Sequence, residues 1–244
     1  MNPTRTAATA GRVLAQLRAD RRTLALMLVV PCVLLGLLAW MSQDAPLFDR
    51  SGAQLLGLFP LVVMFVVTSV TTLGERTSGT LERLLSTPLG RTDFLGGYAL
   101  AFGAMAVLQA LVATGFAVWV CGLEVQGPVG WLVVVAVASG LLGTALGLLA
   151  SAFARTEFQA VQFMPAFVLP QLLLCGLFVP RDQMPRALEL LSAAVPLSYA
   201  VDALGAVATT VAPAAELSPD LAVLAAFFAG SLALASLTLR RRTP

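Results

Sequence analysis

The 244-residue sequence contains no histidine and no lysine; all 15 of its basic residues are arginine. Without histidine there is no Ser-His or Cys-His catalytic pair and no imidazole metal ligand. Without lysine there is no phosphate-binding loop of the G-x-x-x-x-G-K type, because that loop needs an ammonium on the phosphates. The chain is therefore expected to hydrolyse no ATP itself, to carry no catalytic residue and to bind no metal or cofactor of its own. Charge is scarce as well, at 11% of residues, against about 25% in a soluble domain. Three cysteines, Cys32, Cys121 and Cys175, all lie in apolar runs. No two are spaced as metal ligands, and they read as buried thiols packing like small hydrophobes.

What fills the sequence is apolar: 58% of residues are hydrophobic. A membrane-spanning helix needs about 20 apolar residues, because the hydrocarbon core is about 30 Å thick and a helix rises 1.5 Å per residue. Six stretches meet that need without a charge: 23–43, 51–74, 94–123, 125–154, 158–180 and 221–239. Backbone polar groups in lipid must be satisfied internally, so the stretches are expected to be helices, and the fold an all-α membrane protein. Residues 23–239 then form one six-span domain, with no room left for a separate soluble domain.

The arginines orient it. With the N-terminus in the cytoplasm, twelve arginines fall on cytoplasmic segments, and only Arg50, Arg181 and Arg186 fall outside. An even number of spans returns the tail, 240–244, to the cytoplasm. Residues 1–22 are polar and Arg-bearing, and the first apolar run is long enough to span, so no cleavable signal peptide is expected. Val13, Leu14 and Leu17 share one helical face, which fits either a helix lying on the membrane surface or an ordinary basic tail. All-arginine usage with abundant Ala, Gly, Val and Leu fits a GC-rich bacterial genome, and hence a bacterial plasma membrane.

Two loops are long. The external segment, 181–220, holds two apolar runs, 190–201 and 203–215, each too short to span. They are expected as re-entrant or surface-lying helices starting after Pro185 and Pro196. The cytoplasmic loop, 74–93, places Leu81, Leu84 and Leu85 at i, i+3 and i+4, after Gly79 and before Pro88. A two-turn helix with one apolar face is marginal alone. It needs the headgroups or a partner to bury that face. In the fourth stretch Gly140, Gly143 and Gly147 form a small-residue face, suited to packing within the chain or between subunits. No span carries a charge, which argues against coupling to an ion gradient. In the fifth, Pro165 and Pro170 suggest a broken helix, and Phe163, Phe167 and Gln171 are candidates to line a substrate path or pack in the core.

The run Glu75-Arg76, Gly79-Thr80-Leu81-Glu82, Leu84-Leu85, Thr87-Pro88-Leu89 resembles the signature of bacterial ATP-binding-cassette exporter permeases of the second type. A second match runs from Pro170 through Pro180, Pro185 and Pro196 to Leu204, and is similar to that family's outer segment. The nearest likeness is to the small daunorubicin-resistance type. Gly74 departs from it, since many relatives carry a charge there. The resemblance implies a coupling helix from about Gly79 to Ser86 that docks on a separate cytoplasmic ATPase. Leu81, Leu84 and Leu85 would be apolar anchors, Glu82 and Arg83 would orient them, and Glu75 would be a gate near the inner mouth or a solvated carboxylate. Two ATPases would bind ATP and Mg, and drive a dimer of this chain, or of it and a close paralogue, by alternating access. The implied function is export of an amphipathic drug, antibiotic or lipid-like molecule. Export of a lipid-linked polysaccharide, or a non-transporting immunity or sensor role, are the alternatives. Nucleic acid is not an expected partner; membrane lipid is.

Overall fold

In the computed structural model, residues 2–42, 47–78 and 90–238 are described; the side chains of residues 47, 91 and 92 are not. The coupling residues Gly79, Thr80, Leu81, Glu82, Arg83, Leu84, Leu85 and Pro88 lie outside the described residues, as does the tail from 239 to 244. The described chain is all helical: α1 (Pro3–Ala19), α2 (Arg21–Met41), α3 (Leu47–Thr77), α4 (Arg91–Trp119), α5 (Val129–Phe153), α6 (Glu157–Leu174), α7 (Arg186–Ala193), α8 (Pro196–Thr209) and α9 (Ala214–Thr238). Five of these, α2, α3, α4, α5 and α9, are long and apolar enough to cross a membrane. A sixth is reached if α7 and α8, bent by 93° at a short break, are taken as one broken span.

The helix ends depart from the expected stretches for local reasons. The second stretch becomes a 31-residue helix, α3, that runs on through Glu75 and Arg76. At 1.5 Å per residue it is roughly 46 Å long. The third stretch ends at Trp119, and Gly122 follows with a φ of +72°, a left-handed turn that glycine adopts without penalty. The fourth begins only after Pro128, whose ring and missing N–H suit the edge of a helix rather than its interior. The fifth stops at Leu174, because Gly176 takes a φ of +91°. That leaves 18 residues with two internal prolines, a shorter helix than 158–180 implied. The two short helices do start at Pro185 and Pro196, but the break between them falls before Pro196 rather than near Asp202.

α3 lies at the centre of the bundle, with α5 packed along it. The glycine face of α5 makes this possible within one chain. A Cβ at Gly147 would sit 2.6 Å from the Phe65 carbonyl oxygen, and one at Gly143 would overlap the backbone of Leu61. At Gly140 it would meet Ala106 of α4 at 2.8 Å. Of the two readings of this face, the structure realises packing inside the chain. Leu56, Leu61, Leu132, Leu142, Leu197 and Leu204 are fully buried around it. On α2, by contrast, Leu26, Val29, Val33 and Leu37 are exposed, as side chains facing lipid are. Trp40 and Trp119, also exposed, mark the ends of α2 and α4 next to the start of α3, where interfacial tryptophans anchor.

α1 is an ordered helix seated against the bundle. It packs on the start of α4, burying Thr6, Thr9, Ala10, Val13 and Leu17. Gly97 permits the approach: a Cβ there would lie 2.5 Å from that of Thr9. The buried threonine hydroxyls donate to carbonyls of their own helix, Thr6 to Asn2 and Thr9 to Arg5. At its start, the Asn2 amide donates to Asp93 at 2.7 Å.

Candidate functional site

Seating α1 on α4 carries Arg12 to the end of α3. There its guanidinium donates to both carboxylate oxygens of Glu75, at 2.8 and 3.2 Å, and to the Tyr98 hydroxyl at 3.0 Å. Tyr98 in turn donates to Glu75. Tyr98 is fully buried, and Phe94 and Phe102 flank its ring at centroid distances of 4.3 and 5.9 Å. Glu75 is 7% exposed, so it is not a solvated carboxylate. A buried carboxylate is tolerable only when paired and hydrogen-bonded, and here one guanidinium and one phenol meet that demand. The cluster joins three elements: α1, the end of α3 that leads into residues 79–89, and the start of α4 that leads out of them.

The next residue makes a separate tie. The Arg76 guanidinium donates to the Ser151 carbonyl near the end of α5. A cation there satisfies a terminal carbonyl and suits the negative end of the helix dipole. Gly74 faces α6: a Cβ there would stand 3.5 Å from a Glu157 carboxylate oxygen. An acidic side chain at 74 would meet that carboxylate, which gives a physical reason for glycine at this point.

Of the three substrate-path candidates, the structure brings two together. Phe163 and Phe167 line an apolar cavity of about 290 Å³ between α3, α5 and α6, together with Phe65, Leu146 and Phe153. Phe167 stacks on Phe65, with ring centroids 6.3 Å apart. Gln171 is buried elsewhere, and its amide nitrogen donates to the Phe167 carbonyl at 3.2 Å. Its side-chain oxygen has no partner among the described residues. Among the described residues no group of three His, Cys, Asp or Glu side chains could hold a metal ion.

Arg12 and Tyr98 were not singled out by sequence. The only local signal was the spacing of Thr6, Thr9, Ala10, Val13 and Leu17, which extends the buried face of α1 beyond its apolar residues.

A 149-residue stretch is 28% identical to the probable multidrug ABC transporter permease YbhR of Escherichia coli K12, covering 61% of this chain and 40% of the relative. The companion permease YbhS is 28% identical over 144 residues, 59% of this chain and 38% of the relative. The linearmycin resistance permease protein LnrN of Bacillus subtilis is 25% identical over 214 residues, 87% of this chain and 55% of the relative. The matches thus span well under two thirds of each relative's length. The family model for ABC-2 type transporters matches residues 6–208, from α1 through α8, and the chain belongs to that family of membrane transport subunits.

Proposed function

We propose that this chain is the membrane-spanning subunit of an ATP-driven exporter that moves an amphipathic molecule out of a bacterial cell. A separate cytoplasmic ATPase, in two copies, binds ATP and Mg and does the hydrolysis. Two permease chains, identical or closely related, surround the route. Both termini and residues 79–88 face the cytoplasm, following the arginine split.

The observation that carries this reading is the Arg12–Glu75–Tyr98 cluster. It ties together the two helices that bracket residues 79–88 and adds the N-terminal helix to them. When the ATPases close on ATP, they move the docked segment. A buried, hydrogen-bonded joint at its root passes that displacement to α3 and α4 as a unit instead of letting the segment swing alone. ATP binding then biases a two-state membrane domain. Leu81, Leu84 and Leu85 anchor the segment in the ATPase groove, with Gly79, Thr80, Glu82, Arg83 and Pro88 setting its ends and flank. Arg76, bonded to the Ser151 carbonyl, adds α5 to the moving body.

The substrate class follows from the cavity beside α6. Its lining is aromatic and aliphatic throughout. A molecule that has already partitioned into the bilayer fits such a wall, whereas a sugar or ion route would want charged groups along it. Phe163 and Phe167 face that molecule, while Gln171 braces α6 behind them. The resistance and multidrug roles in the relatives' names are in keeping with such a substrate.

Leu84→Asp tests the docking face. A carboxylate buried in an apolar groove without a partner costs several kcal/mol, or must take up a proton to stay there. The variant should insert normally, yet lose ATP-driven transport and co-purification with the ATPase. Wild-type transport by Leu84→Asp would remove this face from the coupling mechanism.

A further inference from the structure

At the far end of α3 from Glu75 lies a second cavity, of about 600 Å³. It is large enough for a drug-sized molecule. Gln54, Gly176 and Val201 are its buried lining, while the exposed Arg50, Asp182 and Glu189 stand around them. Five of its residues are charged, two arginines and three carboxylates, so the lining carries a net negative charge.

The internal pairing decides which charges remain for a ligand. Arg181 is already committed: one terminal nitrogen donates to Asp202 Oδ2, its Nε donates to Ser192 Oγ at 2.9 Å, and its guanidinium lies 5.5 Å from the Tyr199 ring centre. That leaves Asp202 Oδ1 with no hydrogen bond among the described residues. The carboxylates of Asp182 and Glu189 also lack partners there, as does Arg50. Two free carboxylates and a spare carboxylate oxygen thus face one free cation.

Gln54 supplies an independent observation. It is 5% exposed and lines the cavity, yet its amide makes no hydrogen bond within the described chain. The amide therefore opens on the cavity itself. Gly205 leaves room beside it, since a Cβ there would sit 3.5 Å from the Gln54 amide nitrogen. The amide oxygen can accept a hydrogen bond from an ammonium group, as can Asp202 Oδ1.

We infer that this cavity binds an organic ammonium ion: a positively charged amine seated on Gln54 and Asp202 Oδ1 and drawn in by Asp182 and Glu189. Three carboxylates serve it, and Arg50 is its one uncommitted like charge. This sign of ligand separates the site from an anion site, which would use Arg50 and the Gln54 amide N–H groups instead.

The test is equilibrium dialysis of the full chain in lipid nanodiscs, without nucleotide or ATPase, so that its failure leaves the coupling reading untouched. The probes are 2-phenylethylammonium and its anionic counterpart 3-phenylpropionate. The ammonium should bind saturably and several-fold more tightly than the carboxylate. Neutralising the rim with D182N and E189Q together should weaken it about fivefold or more. Gln54→Leu should weaken it by a similar factor with an unchanged melting curve. Arg50→Gln should tighten it, because a like charge is removed. Weaker ammonium binding in Arg50→Gln, tighter binding of phenylpropionate, or no saturable ammonium binding would each overturn the assignment. Should Gln54→Leu misfold, the direction of the Arg50→Gln effect still decides.

Discussion

Glu75 is a carboxylate that stays buried because Arg12 and Tyr98 satisfy it. Removing Arg12 alone leaves that charge uncompensated, a loss of about 3–5 kcal/mol in comparable buried pairs. Replacing both partners with apolar residues removes the demand along with the supply. Arg12→Met should therefore destabilise the chain strongly in denaturant unfolding from micelles, while R12M with E75M should recover much of the loss. Equal losses for the single and double variants would mean that the pair is not coupled. At Gly143 the constraint is steric. Any side chain meets the backbone of Leu61 on α3, so Gly143→Val should cost about 1–3 kcal/mol as overpacking. Gly11, where a Cβ has open space, is the control and should tolerate alanine. The sequence marked Glu75 and the α5 glycines as special. It was silent on Arg12, because a lone arginine on an amphipathic helix looks the same whether it faces water or reaches across to another helix.

Helices formed where the apolar runs stood, and their ends were set by single residues. Prolines 128, 185 and 196 open α5, α7 and α8, and positive-φ glycines follow α4 and α6. The prolines were readable in advance. The glycines were not, because glycine is also common inside membrane helices, and only backbone geometry separates the two uses. That is why 158–180 looked like one span and closes as an 18-residue helix. The junction of α1 and α2 shows local chemistry working without tertiary help. Asp20 caps α2 by accepting from the hydroxyl and amide of Thr23, at 2.6 and 3.2 Å. The Thr23 hydroxyl, and then its amide, hold the Asp20 carboxyl below the usual carboxylate range. A lowered pKa means that the cap stabilises the helix start at neutral pH and stops doing so as the pH falls through that lowered value. Protection of the Thr23 and Leu24 amides, measured as the hydrogen-exchange rate relative to the intrinsic rate at the same pH, should fall in Asp20→Ala at pH 7 and in the wild type at acid pH. Exchange indifferent to both changes would show that the cap contributes nothing.

At the scale of the molecule, α3 spans the bundle between two polar centres. One is the Arg12–Glu75–Tyr98 joint beside residues 79–89, and the other is the charged cavity at Gln54 and Arg181. Between them lies the apolar cavity of Phe65, Phe163 and Phe167. The membrane class was legible because hydropathy and charge are one-dimensional signals. The two polar centres were not, since each joins residues distant in sequence: Arg12 and Tyr98 are 86 positions apart, and Arg181 and Asp202 are 21 apart. This arrangement suits a subunit that receives motion at one end and handles an amphipathic molecule along its length. The most direct measurement is reconstitution into sealed vesicles with the residue 79–88 loop outward, with and without the partner ATPase. The account predicts that the chain alone hydrolyses no ATP, and that with its ATPase it concentrates an amphipathic fluorescent dye inside the vesicles only when ATP and Mg are added. ATP hydrolysis by the chain alone, or ATP-driven loss of dye from these vesicles, would contradict it.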